Sequence, residues 1–214
     1  GWTYDLTIAH TNAGAYSSAA INLDMGSLGK LNFNQGDSGN GISAFDDKMP
    51  TAWEEAWGAG LSTGVRLALG SGASQNIQYT TPTVLGTTLT LTYAPQYGAA
   101  DIADKTTASN NSNDGASYDG TININPSLGT ELLSGLNIFA GAATIERTPD
   151  DNSEDDAYEG VAGITYDLGP LSIGYQVSGD YTGVDGTEAK DADRAKNNFY
   201  KNLAFGVAFN VNDD

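Results

Sequence analysis

The chain has no cysteine and a single histidine, His10. The first absence excludes a disulfide scaffold and thiolate metal sites, and fits either a cytosolic protein or a bacterial envelope protein that does without disulfides. The second leaves nucleophilic catalysis little to work with. A Ser/His/Asp arrangement would have to use His10, which stands at a strand end beside Thr11, and no Gly-x-Ser-x-Gly elbow is present. The pairs Gly39/Gly41 and Gly70/Gly72 lack the strand-to-helix context of a phosphate-binding loop. Asp46-Asp47 and Glu54-Glu55 are carboxylate pairs of the type glycosidases use, but nothing in the sequence sets two of them face to face. The expectation is that the chain is not an enzyme.

Basic charge is also scarce: 9 Lys and Arg stand against 27 Asp and Glu, a net charge of −18. Such a surface repels phosphate backbones and anionic membrane surfaces, so no nucleic acid partner is expected. Charged residues make up 17% of the chain, below the about 25% usual in soluble proteins. Long apolar runs are missing as well, none approaching the ~20 residues of a membrane-spanning helix. A spanning structure would have to be a closed barrel, because only helices and barrels satisfy the backbone in lipid. Residues 1–4 lack the basic start and apolar stretch of a secretory signal. An exported protein would therefore be represented here by a mature form or an internal piece.

What the chain does have is alternation with period two. In 1–10, Trp2, Tyr4, Leu6 and Ile8 fall on one face and Thr3, Asp5, Thr7 and Ala9 on the other. Further strands are expected at 16–24 (Ile21, Leu23), 30–34 (Leu31, Phe33), 75–81 (Ile77, Tyr79) and 87–95 (Leu89, Leu91, Tyr93). The pattern resumes at 117–125, 136–147, 157–168, from Leu171 past the Gly169-Pro170 turn, and most clearly from Phe199 to Val211. About ten strands result, with no helix outside one long connection. Connections alternate in length: long and polar around 35–74, 97–116, 148–156 and 182–196, short at 26–29, 83–86, 126–135 and 169–170. A β-sandwich need not sort its loops this way. Outer-membrane barrels do, with long loops outside, short periplasmic turns, and strands that point apolar residues at lipid and polar ones at the lumen.

The long connection, 34–76, separates three strands from the rest. It carries Asp37, Asp46, Asp47, Glu54 and Glu55 against Lys48 and Arg66, and its Met49, Trp53, Trp57 and Leu61 argue for a folded segment. Trp53 and Trp57 are expected to anchor it to a wall.

At these residues the chain resembles the trimeric general diffusion porins of the Gram-negative outer membrane, in particular the alphaproteobacterial type. Met25-Gly26-Ser27-Leu28-Gly29-Lys30-Leu31-Asn32-Phe33 looks like the porin turn and strand that lead into the constriction loop. Gln78-Tyr79-Thr80-Thr81-Pro82-Thr83-Val84-Leu85-Gly86 looks like the Tyr-x-x-Pro strand and turn that follow it. The stretch from Gly160 through Asp167-Leu168-Gly169-Pro170 to Tyr175 is porin-like too. It is the order of these motifs across most of the chain that carries the resemblance.

The resemblance implies an all-β, antiparallel transmembrane barrel forming one domain over 1–214, with a loop at about 35–74 folded inward. Such porins have sixteen strands and place the constriction loop after the fifth; here three precede it and about seven follow. The chain would then hold ten strands of a probable sixteen, incomplete at both ends, since a ten-stranded barrel leaves little room for a loop of this size. The implied function is passive diffusion of small hydrophilic solutes and ions in a homotrimer, bedded in outer-membrane lipid and lipopolysaccharide. Acidic constrictions favour cations. The expected acidic side is Asp37, Asp46, Asp47, Glu54 and Glu55, and the facing basic candidates are Lys30, Arg66 and Arg147.

No cofactor is required by this reading. The tip 150–156 gathers Asp150, Asp151, Glu154, Asp155 and Asp156, hard oxygen ligands that suit Ca2+, although without EF-hand spacing; the plainer reading is a solvated charge run. A Ca2+-stabilised acidic β-rich protein of the cell surface, structural or adhesive, is the alternative function.

Overall fold

The computed structural model describes residues 1–8, 16–35, 39–50, 67–72, 74–97, 115–126, 131–147, 155–183 and 199–210. Ten strands follow in order: β1 (Trp2–Ile8), β2 (Tyr16–Asp24), β3 (Lys30–Gln35), β4 (Asn76–Thr80), β5 (Thr87–Ala94), β6 (Ser117–Ile124), β7 (Leu136–Ile145), β8 (Ala157–Leu168), β9 (Leu171–Tyr181) and β10 (Phe199–Phe209). Each is antiparallel to the next in one 10-stranded sheet ordered β1 to β10. Among the described residues β1 pairs only with β2, and β10 only with β9. Helix is confined there to 3-10 turns at Gly26–Leu28 and Gly41–Phe45 and one turn at Glu131–Ser134. No helix of the described residues is long and apolar enough to cross a membrane.

The registers join the strands into continuous rows, because side chains two apart share a face and direct cross-strand partners lie side by side. One such row on the first face reads Tyr4, Ile21, Phe33, Ile77, Tyr93, Tyr118, Thr144, Tyr158, Tyr181 and Phe199. Within it Tyr93 packs on Tyr118, with ring centroids 5.1 Å apart, and Tyr158 stacks with Tyr181. Below it the same face presents Leu91, Leu89, Ile164, Tyr175, Leu203 and Phe205, all exposed. Trp2 is 74% exposed and Phe205 77%. A water-soluble sheet covers its apolar side and wets its polar side; here the polarity is reversed, since the buried residues lie on the other face.

The connections β2–β3, β4–β5, β6–β7 and β8–β9 gather at one end of the sheet; three of them are short, as the alternation of loop lengths predicts, whereas β6–β7 at 125–135 is as long as β7–β8 at 146–156. At β4–β5, Val84 and Thr87 exchange both backbone hydrogen bonds at 2.9 Å around Leu85 and Gly86, whose φ values are 50° and 76°. Two left-handed residues in succession make a type I′ hairpin turn, the form that matches strand twist. Leu85 is the one described non-glycine with positive φ.

Several boundaries differ from the sequence pattern. Of 136–147, β7 takes Leu136–Ile145; just beyond it Glu146 bonds Gly115 and Ala116 through its backbone and accepts the Ala116 N–H on Oε2. Leu67 and Leu69 alternate like the start of a strand, yet β4 begins only at Asn76. The Leu69 amide is directed to the Glu159 side chain of β8, as described next.

Candidate functional site

The second face carries a polar belt crossing every strand: Thr3, Asn22, Asn32, Gln78, Thr92, Asp119, Ala143, Glu159, Asp180 and Tyr200 in continuous register. The connection between β3 and β4 is tied to this belt on both its arms. On the outgoing arm, Asn40 precedes the 3-10 turn Gly41–Phe45 but does not cap it with its side chain. Its Nδ2 donates instead to Asn32 Oδ1 (2.9 Å) and Asn76 Oδ1 (2.8 Å). The next two amides reach further round the belt, Gly41 N–H to Gln78 Oε1 at 2.8 Å and Ile42 N–H to Asp119 Oδ2 at 3.0 Å. On the returning arm, Leu69 and Gly70 N–H donate to Glu159 Oε2 at 2.7 and 2.6 Å. Ser71 gives its N–H and its hydroxyl to Asp119, the hydroxyl at 2.7 Å.

Asp119 thus clamps both arms, and it is only 4% exposed. A carboxylate so buried is tolerable because several donors converge on it, each charge-assisted bond contributing about 1.5–3 kcal/mol. Its approach to the loop backbone requires glycine. Gly41 and Gly70 both have left-handed φ, and a Cβ on either would enter the Asp119 carboxylate.

Between the arms and the sheet lies a small apolar core of Ile42, Phe45, Ala68, Phe139, Ala143 and Val161. Phe45 and Phe139 rings meet at 4.8 Å. Further on, Met49 and Pro50 settle onto the paired glycines Gly174 of β9 and Gly206 of β10; a Cβ on Gly174 would lie 2.6 Å from Pro50 Cδ. The described part of the connection therefore crosses the sheet from β3 to β10 on its polar face.

Of the acidic residues predicted for this loop, Asp46 and Asp47 follow the 3-10 turn and are exposed. Partial burial, and secondarily the charge of Asp47, push the Asp46 carboxyl above the usual carboxylate range, against the pull of backbone amides and Lys48. Asp37, Glu54, Glu55 and the two tryptophans Trp53 and Trp57 lie outside the described residues, as does Arg66. Lys30 is exposed on the loop-bearing face, one row from the belt toward the tight turns, in register with Asp24 and Thr80. Arg147 sits at the opposite end, just past β7, with its guanidinium 5.7 Å from the Tyr97 ring centre. These two cations stand at different heights and are not brought together.

Of the acidic tip, Asp150, Asp151 and Glu154 lie outside the described residues. Asp156 Oδ1 accepts the Arg147 N–H at 3.1 Å, and Asp155 bonds Gly183 through its backbone and the Tyr181 hydroxyl through its side chain. Among the described residues no group of three or more His, Asp or Glu converges as a metal site.

Asp119 and Glu159 were not singled out from the sequence. The signal was there, since each is an acid at polar-face parity inside a strand, Asp119 alone in β6 and Glu159 together with Asp167 in β8, but parity alone does not reveal that a distant loop supplies its donors. Compared with known proteins, the chain matches no family model, and no curated protein matches it.

Proposed function

We propose that this chain forms wall and constriction loop of an outer-membrane porin, a passive diffusion channel for small hydrophilic solutes that prefers cations. In this reading the sheet closes into a barrel together with further strands, three barrels associate as a trimer, and neither catalysis nor a cofactor is involved. The observation that carries it is the pairing of two features: an aromatic-edged apolar face left uncovered, and a loop tied by both arms across the polar face behind it. Lipid covers the first without any protein partner, and the second narrows a water-filled space while leaving it lined by amides, hydroxyls and acids. Asp46 and Asp47, exposed on the loop, supply the negative potential that concentrates cations.

The test is extraction and assembly. The full-length protein is expected in the outer-membrane fraction, soluble only in detergent, as a trimer that runs compact until heated. A detergent-free soluble monomer that loses its sheet content in EDTA would contradict the porin reading and point to the Ca2+-held surface protein.

A further inference from the structure

We propose that Asp5 is a selectivity-determining carboxylate of the channel wall, held in place by a one-way chain of amides that begins on the constriction loop; this rests on the porin reading. The chain of donors runs from Asn40 to Asn32 Oδ1 (2.9 Å), from Asn32 Nδ2 to Asn22 Oδ1 (2.5 Å) and from Asn22 Nδ2 to Asp5 Oδ2 (2.8 Å). All three bonds point the same way, from the loop across β3 and β2 to β1. Amide dipoles aligned in series polarise one another, and the bond at the end of the row holds the Asp5 side chain in one orientation. The chain therefore fixes a full negative charge at a defined place, with Oδ2 engaged and the carboxylate still exposed.

Position makes that charge matter. Asp5 has the same parity as Thr3, the β1 member of the polar belt, so it belongs to the loop-bearing face. The loop is packed hard against the other side of that face: its apolar core lies on β7 and β8, and Met49 and Pro50 lie on β9 and β10. Over β3 the described part of the loop donates from Asn40 to the head of the amide chain. On this face of β1 to β3, Ser18, Ala20 and Asn34 are buried and Asp24 stands in register with Lys30 at the turn end, which leaves Asp5 as the exposed acid away from that end among the described residues. No basic residue of the described set stands beside it, Lys30 being near the tight turns. The arrangement extends the acidic lining from the loop onto the wall that faces it.

The test is the reversal potential of the full-length protein in planar bilayers across a KCl gradient, for wild type, Asp5→Asn, Asp5→Glu and Asn22→Ala. A unit charge roughly 7 Å from a monovalent ion in water changes its local concentration about two- to three-fold. The K+ over Cl− permeability ratio of Asp5→Asn is expected to fall by about that factor in ~0.1 M salt and to converge on wild type in ~1 M salt, where the screening length is about 3 Å. Asp5→Glu retains the preference, and Asn22→Ala, which keeps the charge but frees it, lowers the ratio by less. A conducting Asp5→Asn pore with wild-type selectivity at both salt concentrations overturns the role of Asp5 while leaving the porin reading standing. A wild-type protein that never conducts overturns both.

Discussion

At the scale of single residues, the chain places its charges in two distinct settings. Asp119 and Glu159 are buried acceptors for loop amides, whereas Asp46 and Asp47 are exposed. Replacing Asp119 with Ala leaves the Ile42 and Ser71 amides without their acceptor inside a closed contact. We expect a loss of about 3 kcal/mol in the attachment of the loop, read as protease cleavage within 36–75 at concentrations that spare wild type; equal resistance would mean the clamp is dispensable. Asp46 has the opposite sign. Its carboxyl titrates above the usual range because ionisation is disfavoured in the folded loop, so the folded state takes up a proton before the unfolded state does as pH falls. Stability contributed by this group therefore increases on acidification through the raised value, and Asp46→Asn is expected to leave the unfolding midpoint at pH 7 unchanged or higher. Cation preference follows the charge itself: it should begin to decline at a pH above the ordinary carboxylate range in wild type, and that early component should vanish in Asp46→Asn. A selectivity titration with the same profile in both proteins would remove Asp46 from the mechanism.

At the scale of elements, most of the strands were legible because period-two alternation survives wherever one face must be apolar. Phe199, Leu203, Phe205, Val207 and Phe209 state their face without help from any neighbour. The long connection was expected to be folded from its length and its apolar residues; its described parts, 39–50 and 67–72, are packed on the sheet, but the way they dock was not legible. Ile42 and Phe45 look in sequence like any short apolar pair; they are buried because Gly141 leaves a notch in β7, where a Cβ would lie 2.7 Å from Ile42 Cγ2, and because Phe139 points to the same side. Leu67 and Leu69 alternate as a strand would, but the strand was expected at 75–81 and β4 begins at Asn76, while the Leu69 and Gly70 amides belong to Glu159. Two variants probe these elements. Gly174→Val places its side chain into Pro50 and Met49, and is expected to lift the loop from β9 and β10, changing conductance without changing sheet content by circular dichroism. Leu85→Asn puts a residue that tolerates left-handed φ into the β4–β5 turn, and is expected to raise stability in detergent by roughly 1 kcal/mol; a lower unfolding midpoint would show that Leu85 makes a contact worth more than its backbone strain.

For the whole molecule, the reversal of polarity is the organising fact. An apolar face spanning the sheet is uncovered, and the polar face is occupied by a loop of its own chain. Burial in water would favour the reverse arrangement, and the proposed porin function would place lipid on the apolar side. The alternation that sets an apolar face is legible in the sequence, whereas the belt that fixes the loop emerges only when cross-strand registers are joined. If the loop narrows a water-filled lumen, freeing it must widen that lumen. The measurement that tests this most directly is single-channel conductance of the full-length protein in planar bilayers, wild type against the double variant Asp119→Ala, Glu159→Ala. The expected result is discrete, cation-preferring steps in wild type and larger, noisier steps with weaker preference in the variant; identical steps and selectivity in the two proteins, or no steps in wild type, would contradict it.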